Sequence, residues 1–352
     1  MNVRPPGPHV ELSSSLRMSG QPPVLADWLS RQGETVNGPL AISRVGIGQS
    51  NITSIVVDAA GSTWVLREPP RGAPENAAHD LRREAEILQA LSATEVPVPR
   101  VVGWGDSADG SPFLVMERVR GSVLETRDQA RSLSVVQRRD LGVSVVQTLA
   151  SLHLIDPRTL GLPVSRTPYL SRQMRRIDAS WERVRTLSRH DADWQRLRVE
   201  LSAQLPEHPP AAIMHGDYRL SNLLVDHGAI TAVLDWELCT VGDPLADLAW
   251  LIDDWRTPEE PAIVMPSPTR AGGFPSRDEM IDIYQGLTGL SVDQLDYYRA
   301  FTQWRAASLL EGVRARRLSG AMGSHGDIDA DDLEDSIGVL LASASKHLRR
   351  VG

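Results

Sequence analysis

The first 120 residues alternate between short apolar runs and glycine- or acid-marked turns. Three strand-like runs, Ala41–Val45, Ile52–Val57 and Thr63–Arg67, carry β-branched and aromatic residues at alternating positions. Gly46-Ile47-Gly48 separates the first two, and Ala60-Gly61 the second and third, as hairpin turns do. Glu75 to Leu91 changes period: Leu81, Ala85, Leu88 and Leu91 recur at helical spacing. Two more strands, near Arg100–Trp104 and Phe113–Glu117, flank an Asp109-Gly110 turn, and an earlier helix runs from Pro23 through Leu25, Trp28 and Leu29 to Gly33. The pattern predicts a small antiparallel sheet with one main helix.

After Arg120-Gly121 the helical period takes over. It predicts helices over Ser134–Leu154, Leu170–Arg189, Trp194–Leu205, Pro244–Trp255, Arg277–Leu287, Val292–Leu318 and Ala330–Leu348. A mixed segment, Ala211–Trp236, interrupts them with two strands. A Pro- and Gly-rich stretch from Thr257 to Ser276 reads as a lid or as disordered. The fold class is therefore α+β. The expected organisation is a loose tail over 1–23, a β-rich N-terminal lobe over 24–118, and a mostly helical C-terminal lobe over 119–352.

Composition removes several classes of function. No apolar run reaches the roughly 18 residues of a membrane span, and the N-terminal 20 residues lack a secretory signal's apolar stretch. A lone cysteine, Cys239, rules out an internal disulfide and fits a reducing cytoplasm. The formal charge of −8 argues against nucleic acid as a partner. Among 37 basic residues only Lys346 is a lysine, so a Walker A loop, a pyridoxal Schiff base and a lysine nucleophile are all disfavoured. Oligomeric state is not set by any of these features.

The chemistry concentrates in His215-Gly216-Asp217-Tyr218-Arg219-Leu220-Ser221-Asn222, followed by Leu234-Asp235-Trp236-Glu237. Runs Asn222–Asp226 and Ile230–Leu234 flank His227-Gly228-Ala229, a hairpin turn. Asn222 opens the first strand and Asp235 closes the second, so their side chains are expected at the same end. An amide oxygen and a carboxylate there form a hard oxygen site suited to Mg²⁺. Asp217, in the loop before, is placed to accept a hydrogen bond from a substrate hydroxyl.

This arrangement resembles the catalytic loop of the protein-kinase-like phosphotransferases. Within them it is most similar to the aminoglycoside phosphotransferase and choline kinase group, and to the kinase-like proteins linked to acyl-CoA dehydrogenases. The resemblance extends over residues 40 to 320. It implies a bilobal protein-kinase-like fold and an ATP- and Mg²⁺-dependent transfer of phosphate to a hydroxyl of a small molecule. By the same match Asp217 is the catalytic base, Asn222 and Asp235 are the metal ligands, and His215 fixes the loop. Asp243 and Asp247, in Gly242-Asp243-Pro244-Leu245-Ala246-Asp247, match a second signature in which an Asp caps a helix and anchors the loop.

In the smaller lobe, Arg44 to Asn51 is similar to the glycine-rich loop over ATP phosphates. The resemblance makes Gly46, Gly48, Ser50 and Asn51 nucleotide contacts. Arg67 stands where the family places a strand lysine, with Glu84 as its ion-pair partner on the next helix. Phe113–Val119 resembles the strand whose backbone meets adenine, through Glu117 and Val119. The sequence departs from the pattern twice: the glycine spacing is not the full six-residue one, and position 67 is arginine. Arginine keeps a permanent charge and a bidentate fork, so altered rather than lost nucleotide binding is expected.

Blander readings compete. A non-catalytic nucleotide-binding module is motivated by Arg67, although it leaves the joint presence of Asp217, Asn222 and Asp235 unexplained. A two-metal hydrolase would recruit His215, Asp217, Asp235 and Asp243, but no histidine pair has ligand spacing near them. Arg299, Arg305, Arg314, Arg316 and Arg317 read as a solvent face or as helix C-terminal charges, Trp236, Trp250, Trp255 and Trp304 as core or pocket wall, and Cys239 as inert. For the acceptor, Asp253, Asp254, Glu259 and Glu260 are candidates to hold a cationic sugar. The arginines of the last long helices would suit an anionic one, and relatives tied to acyl-CoA metabolism suggest a hydroxyacyl or hydroxy-acid type by analogy.

Overall fold

The computed structural model describes residues 17–45, 51–70, 77–207, 209–320 and 328–351. The side chains of residues 77–80 lie outside that description, as do residues 46–50, which include Gly46, Gly48 and Ser50. The chain divides into two compact units. One comprises residues 1–120 with 231–237, and the other 121–230 with 238–352. No helix among the described residues is long and apolar enough to cross a membrane.

The smaller unit is built on a five-stranded sheet of β1 (Ala41–Val45), β2 (Ile52–Val57), β3 (Thr63–Glu68), β4 (Val101–Asp106) and β5 (Pro112–Glu117), in the order β1-β2-β3-β5-β4. Every neighbouring pair is antiparallel. Alternation in β3 sends Trp64, Leu66 and Glu68 inward. On that face Leu25 and Leu29 of α1 (Pro22–Arg31) close a core with Val56, Phe113 and Val115. Trp28 meets Phe113 edge-on at 5.0 Å. Gly103 lies under Trp28, where a Cβ would come within 3.0 Å of the indole ring. Helix α2 (Ala77–Leu91) buries Leu81, Ala85, Leu88 and Leu91 and packs against β4 and β5.

Of the stretch expected as a tail, residues 1–23, the described part from Arg17 onward is structured. Met18–Gly20 form a 3₁₀ turn, Met18 is buried in the sheet–helix core, and Arg17 donates to the Pro69 and Pro70 carbonyls. An apolar anchor among Pro, Ser and Gly has no periodicity to announce it.

The larger unit opens with β6 (Ser122–Val123) and α3 (Arg127–Arg131), two short elements that carry no period of their own. Helices α4 (Val135–Leu154), α5 (Tyr169–Trp181) and α6 (Asp191–Ala203) follow. Capping boxes begin α3 at Thr126 and α4 at Ser134. The helix expected over Leu170–Arg189 ends at Trp181, and a separate 3₁₀ turn covers Arg185–Leu187. Asp191 accepts from Trp181 Nε1 and from Arg185, tying the chain back there.

Next come β7 (Ala212–Met214), β8 (Leu223–Asp226) and β9 (Ala229–Val233), whose last three residues belong to the smaller unit. They are followed by β10 (Thr240–Gly242), which pairs antiparallel with β7. The hairpin turn between β8 and β9 uses positive φ at His227 and Gly228. Helix α7 (Pro244–Asp254) is buried along its whole length, which explains an apolar run interrupted only by Asp247 before the closing Asp253 and Asp254. Helix α9 (Leu295–Leu318) packs on it, α10 (Ala330–Leu348) packs on α9, and α8 (Arg277–Thr288) packs on α4. Trp181, Trp194 and Trp304 form a buried stack with centroids 4.6 and 4.7 Å apart, which accounts for Trp304 as core.

The Thr257–Ser276 stretch is ordered by polar contacts and by Phe274, which meets Trp255 edge-on at 5.3 Å. Arg270 donates to the Glu260 and Pro258 carbonyls, Ser267 bonds the Asp254 carbonyl and Thr269, and Arg277 forms a two-pronged pair with Glu260.

Candidate active site

In the larger unit, the loop after β7 is pinned from beneath. Asp247, one turn into α7 and fully buried, accepts from the backbone N–H of His215 (2.6 Å) and of Gly216 (2.9 Å). Burial opposes its ionisation, but the His153 hydrogen bond and charge, with His215 and the Gly216 N–H, hold its carboxyl below the usual range. His153 in turn bonds Tyr284 of α8 at 2.6 Å, so three elements converge on one carboxylate. Gly216 has φ +88, and a Cβ there would meet the Leu238 carbonyl oxygen at 2.7 Å. Only glycine fits.

This anchoring presents Asp217. Its Oδ1 accepts from Trp250 Nε1 (2.7 Å), its Oδ2 accepts from Asn222 Nδ2 (2.9 Å), and its N–H donates to His215 Nδ1 (3.2 Å). His215 is wholly buried, so its contact is with the loop and not with solvent. Asn222 also donates to the Asp217 carbonyl, which commits its amide nitrogen and leaves Oδ1 as its acceptor end. Trp250, read from the sequence as wall, thus touches the carboxylate directly. Arg305 stacks 5.4 Å from the Trp250 ring and donates to the Gly216 carbonyl.

Asp243 occupies the position before α7, yet its side chain makes no capping bond and accepts instead from Tyr298. Arg299 and Arg314, expected on a solvent face, are ion-paired with Asp253 and with Glu311 and Glu334. Residue spacing alone hid these inward contacts, because their acidic partners lie on other helices or a turn away.

In the smaller unit, Arg67 of β3 reaches Glu84 of α2 in a hydrogen-bonded ion pair, and its Nη2 stands 3.6 Å from Asp235 Oδ1. Glu84 is 2% exposed and its Oε2 has no hydrogen-bond partner among the described residues. Burial pushes its carboxyl up to about 7 against the pull of Arg67, with Asp235 and Glu237 adding repulsion. Asp235 itself adopts φ +65, a left-handed conformation that costs a non-glycine residue about 1 kcal/mol. Such local strain is frequent where a side chain must be aimed.

Glu117 extends β5, with its N–H bonded to the Arg100 carbonyl and its carboxylate facing Arg100. Val119, half-buried, makes no backbone hydrogen bond among the described residues, which leaves its N–H and C=O open to a ligand. Asn51 sits half-buried at the head of β2.

The described residues contain no cluster of three or more His, Cys, Asp or Glu side chains able to hold a metal. Asn222 lies in the larger unit and Asp235 in the smaller, and each carries an oxygen donor of the hard kind that Mg²⁺ takes.

A sequence profile of the phosphotransferase enzyme family matches residues 41–280. The chain belongs to that family. Acyl-CoA dehydrogenase family member 11 of Gallus gallus is 32% identical over 300 residues, which are 80% of this chain but 38% of that longer protein. The chain thus spans under two-fifths of that relative. Among solved structures, a protein of Ralstonia eutropha classed with the aminoglycoside phosphotransferases superposes with a TM-score of 0.77 at 26% identity, covering 93% of this chain and 97% of that one. A thermostable aminoglycoside phosphotransferase mutant, solved with AMP-PNP and hygromycin B, shares the fold at a TM-score of 0.59 and 18% identity, covering 91% and 98%. The fold of this phosphotransferase-family chain is therefore α+β and protein-kinase-like, with its β-rich part antiparallel.

Proposed function

We infer that this phosphotransferase moves the γ-phosphate of ATP, with Mg²⁺, to a hydroxyl of a small molecule. The observation that carries this reading is Asp217, a carboxylate oriented through both oxygens by Trp250 and Asn222 on a loop that buried Asp247 immobilises. Each Asp217 oxygen keeps a second lone pair for an incoming hydroxyl, so the group is oriented without being consumed. It would align the acceptor and take up its proton as the new P–O bond forms.

The smaller unit supports the nucleotide half. Arg67 is fixed by Glu84, and its permanent charge would neutralise phosphate oxygens; Val119 offers its backbone to adenine. Gly46, Gly48, Ser50 and Asn51 would cover the phosphates. Glu117 would continue the adenine-facing strand. Mg²⁺, with Asn222 and Asp235 as its proposed ligands, would supply charge neutralisation at the transferred phosphate. The related fold binding a nucleotide analogue supports ATP as donor.

The test is ADP release by the purified chain across a panel of alcohols, sugars, aminoglycosides and hydroxy acids, beside Asp217→Asn. The substitution is expected to keep nucleotide binding and lower turnover by about a hundredfold to ten-thousandfold. Wild-type turnover in that variant would refute the role of Asp217.

A further inference from the structure

Resting on the phosphotransferase reading, we propose that Arg305 of α9 is a positioning residue for phosphate transfer, which holds the Trp250 indole and the Gly216 carbonyl together and so aims the Asp217 carboxylate.

Arg299, Arg305 and Arg314 of α9 all turn inward, but they are not partnered alike. Arg299 pairs with Asp253, and Arg314 with Glu311 and Glu334. Arg305, half-buried, has no carboxylate within ion-pair distance among the described residues. Taking an arginine out of water without a counter-charge is costly, so the contacts that offset the cost are informative. Its Nη2 donates to the Gly216 carbonyl at 3.1 Å, and the guanidinium carbon sits 5.4 Å from the centre of the Trp250 ring, within cation–π range. Both contacts lead to Asp217, and neither engages its carboxylate.

The first leads there through the backbone. Gly216 has φ +88, and glycine leaves the next peptide unit, which carries the Asp217 N–H, free to swing unless both of its ends are held. The N–H end donates to His215 Nδ1 at 3.2 Å, and the carbonyl end accepts from Arg305. The preceding peptide unit is held by Asp247 through the Gly216 N–H. Helix α7 thus fixes the loop before Gly216, and α9 fixes the peptide that leads into Asp217. A hydrogen bond from a charged donor is about twice as strong as a neutral one, which suits a joint made of glycine.

The second leads there through the indole. Trp250 is 7% exposed and donates Nε1–H to Asp217 Oδ1 at 2.7 Å. That bond points where the ring points, and Arg305 covers one face of the ring. A displacement of about 1 Å in a positioned group can cost on the order of a hundredfold in rate. A guanidinium is planar with several N–H donors, so it can lie against the indole while one N–H reaches the carbonyl. The ammonium of lysine is a point charge on a flexible stem and meets only one of the two. Because Arg305 acts through other residues, its removal lowers kcat and leaves ligand affinity alone.

The test compares wild type with Arg305→Met, which keeps an apolar stem over the ring, and Arg305→Lys, which keeps the charge, each in the full chain. Rates are read as ADP release from MgATP with alcohols, sugars, aminoglycosides and hydroxy acids as acceptors. The Trp250 indole N–H is followed by ¹⁵N NMR, its signal assigned by its loss in Trp250→Phe. Arg305→Met is expected to lower kcat about tenfold to a hundredfold, with KM for ATP and acceptor unchanged, and to shift the indole signal. Arg305→Lys should recover part of kcat. Wild-type kcat in Arg305→Met, or an indole signal that stays in place, would overturn the proposal while turnover by wild type left the phosphotransferase reading standing. A raised acceptor KM at unchanged kcat would overturn it too, since Arg305 would then be a ligand contact. If wild type releases no ADP with any acceptor while Arg305→Met still shifts the indole signal, the phosphotransferase reading fails and takes the role with it, though the contact remains. Should Arg305→Met not fold, Arg305→Lys is read by the same kcat, KM and indole signal.

Discussion

At the scale of single residues, two contacts set what the chain can do. Trp250 donates its indole N–H to Asp217. Trp250→Phe keeps an aromatic ring but removes that donor together with part of the buried indole, so kcat is expected to fall by at least the tenfold to hundredfold, about 1.5–3 kcal/mol, of a hydrogen bond to a charged group. KM for ATP should stay unchanged in the same steady-state series. Unchanged kcat would mean that Asn222 alone orients the carboxylate. Glu84 is the second case. Its carboxyl, raised by burial from an ordinary 4.5 to about 7, binds its proton more tightly in the folded state. Its stabilising share is therefore complete below 4.5 and lost as pH rises through 7, by at most about 3 kcal/mol. Glu84→Gln is expected to flatten the fall in thermal midpoint between pH 5 and pH 8, read by a melting series in matched buffers. A slope identical to wild type would place the titrating group elsewhere.

Among elements, the buried helix α7 is the organiser of the larger unit. Through Asp247 it holds the backbone of the His215-Gly216-Asp217 loop, through Trp250 it meets Asp217, and through Asp253 and Asp254 it gathers arginines. Asp247→Ala strips a charged acceptor from two buried N–H groups and is expected to cost about 3–5 kcal/mol, measured by denaturant unfolding of the larger unit. A loss below about 1 kcal/mol would show that the loop is held otherwise. The hydrophobic period announced α7 as a helix, and the His-Gly-Asp spacing announced the loop it supports. Spacing alone did not show the contact between them, because Asp247 lies 32 positions from His215 and its partner is backbone, whereas the match of Asp243 and Asp247 to a loop-anchoring signature did imply it. Nor did spacing show Met18, whose apolar anchoring of the smaller unit's core is one residue long. Strands β6 and β10 and the helix α3 also escaped, being too short to show a period.

For the molecule as a whole, sequence order was a good guide to fold class and a poor one to charge partnerships. Alternation gave the five strands of the main sheet and the long helices, since both periods follow from local geometry. Arg67 and Glu84 meet as their order along the chain implied. Arg299, Arg305 and Arg314, by contrast, turn inward to partners that no spacing rule connects. The central claim is that Asp217 serves phosphate transfer from ATP. Its most direct measurement is single-turnover transfer of labelled γ-phosphate from ATP to an acceptor, in wild type and Asp217→Asn at equal nucleotide occupancy. Labelled acceptor should form in wild type and slow by about a hundredfold or more in the variant. Equal rates in both proteins would contradict the account.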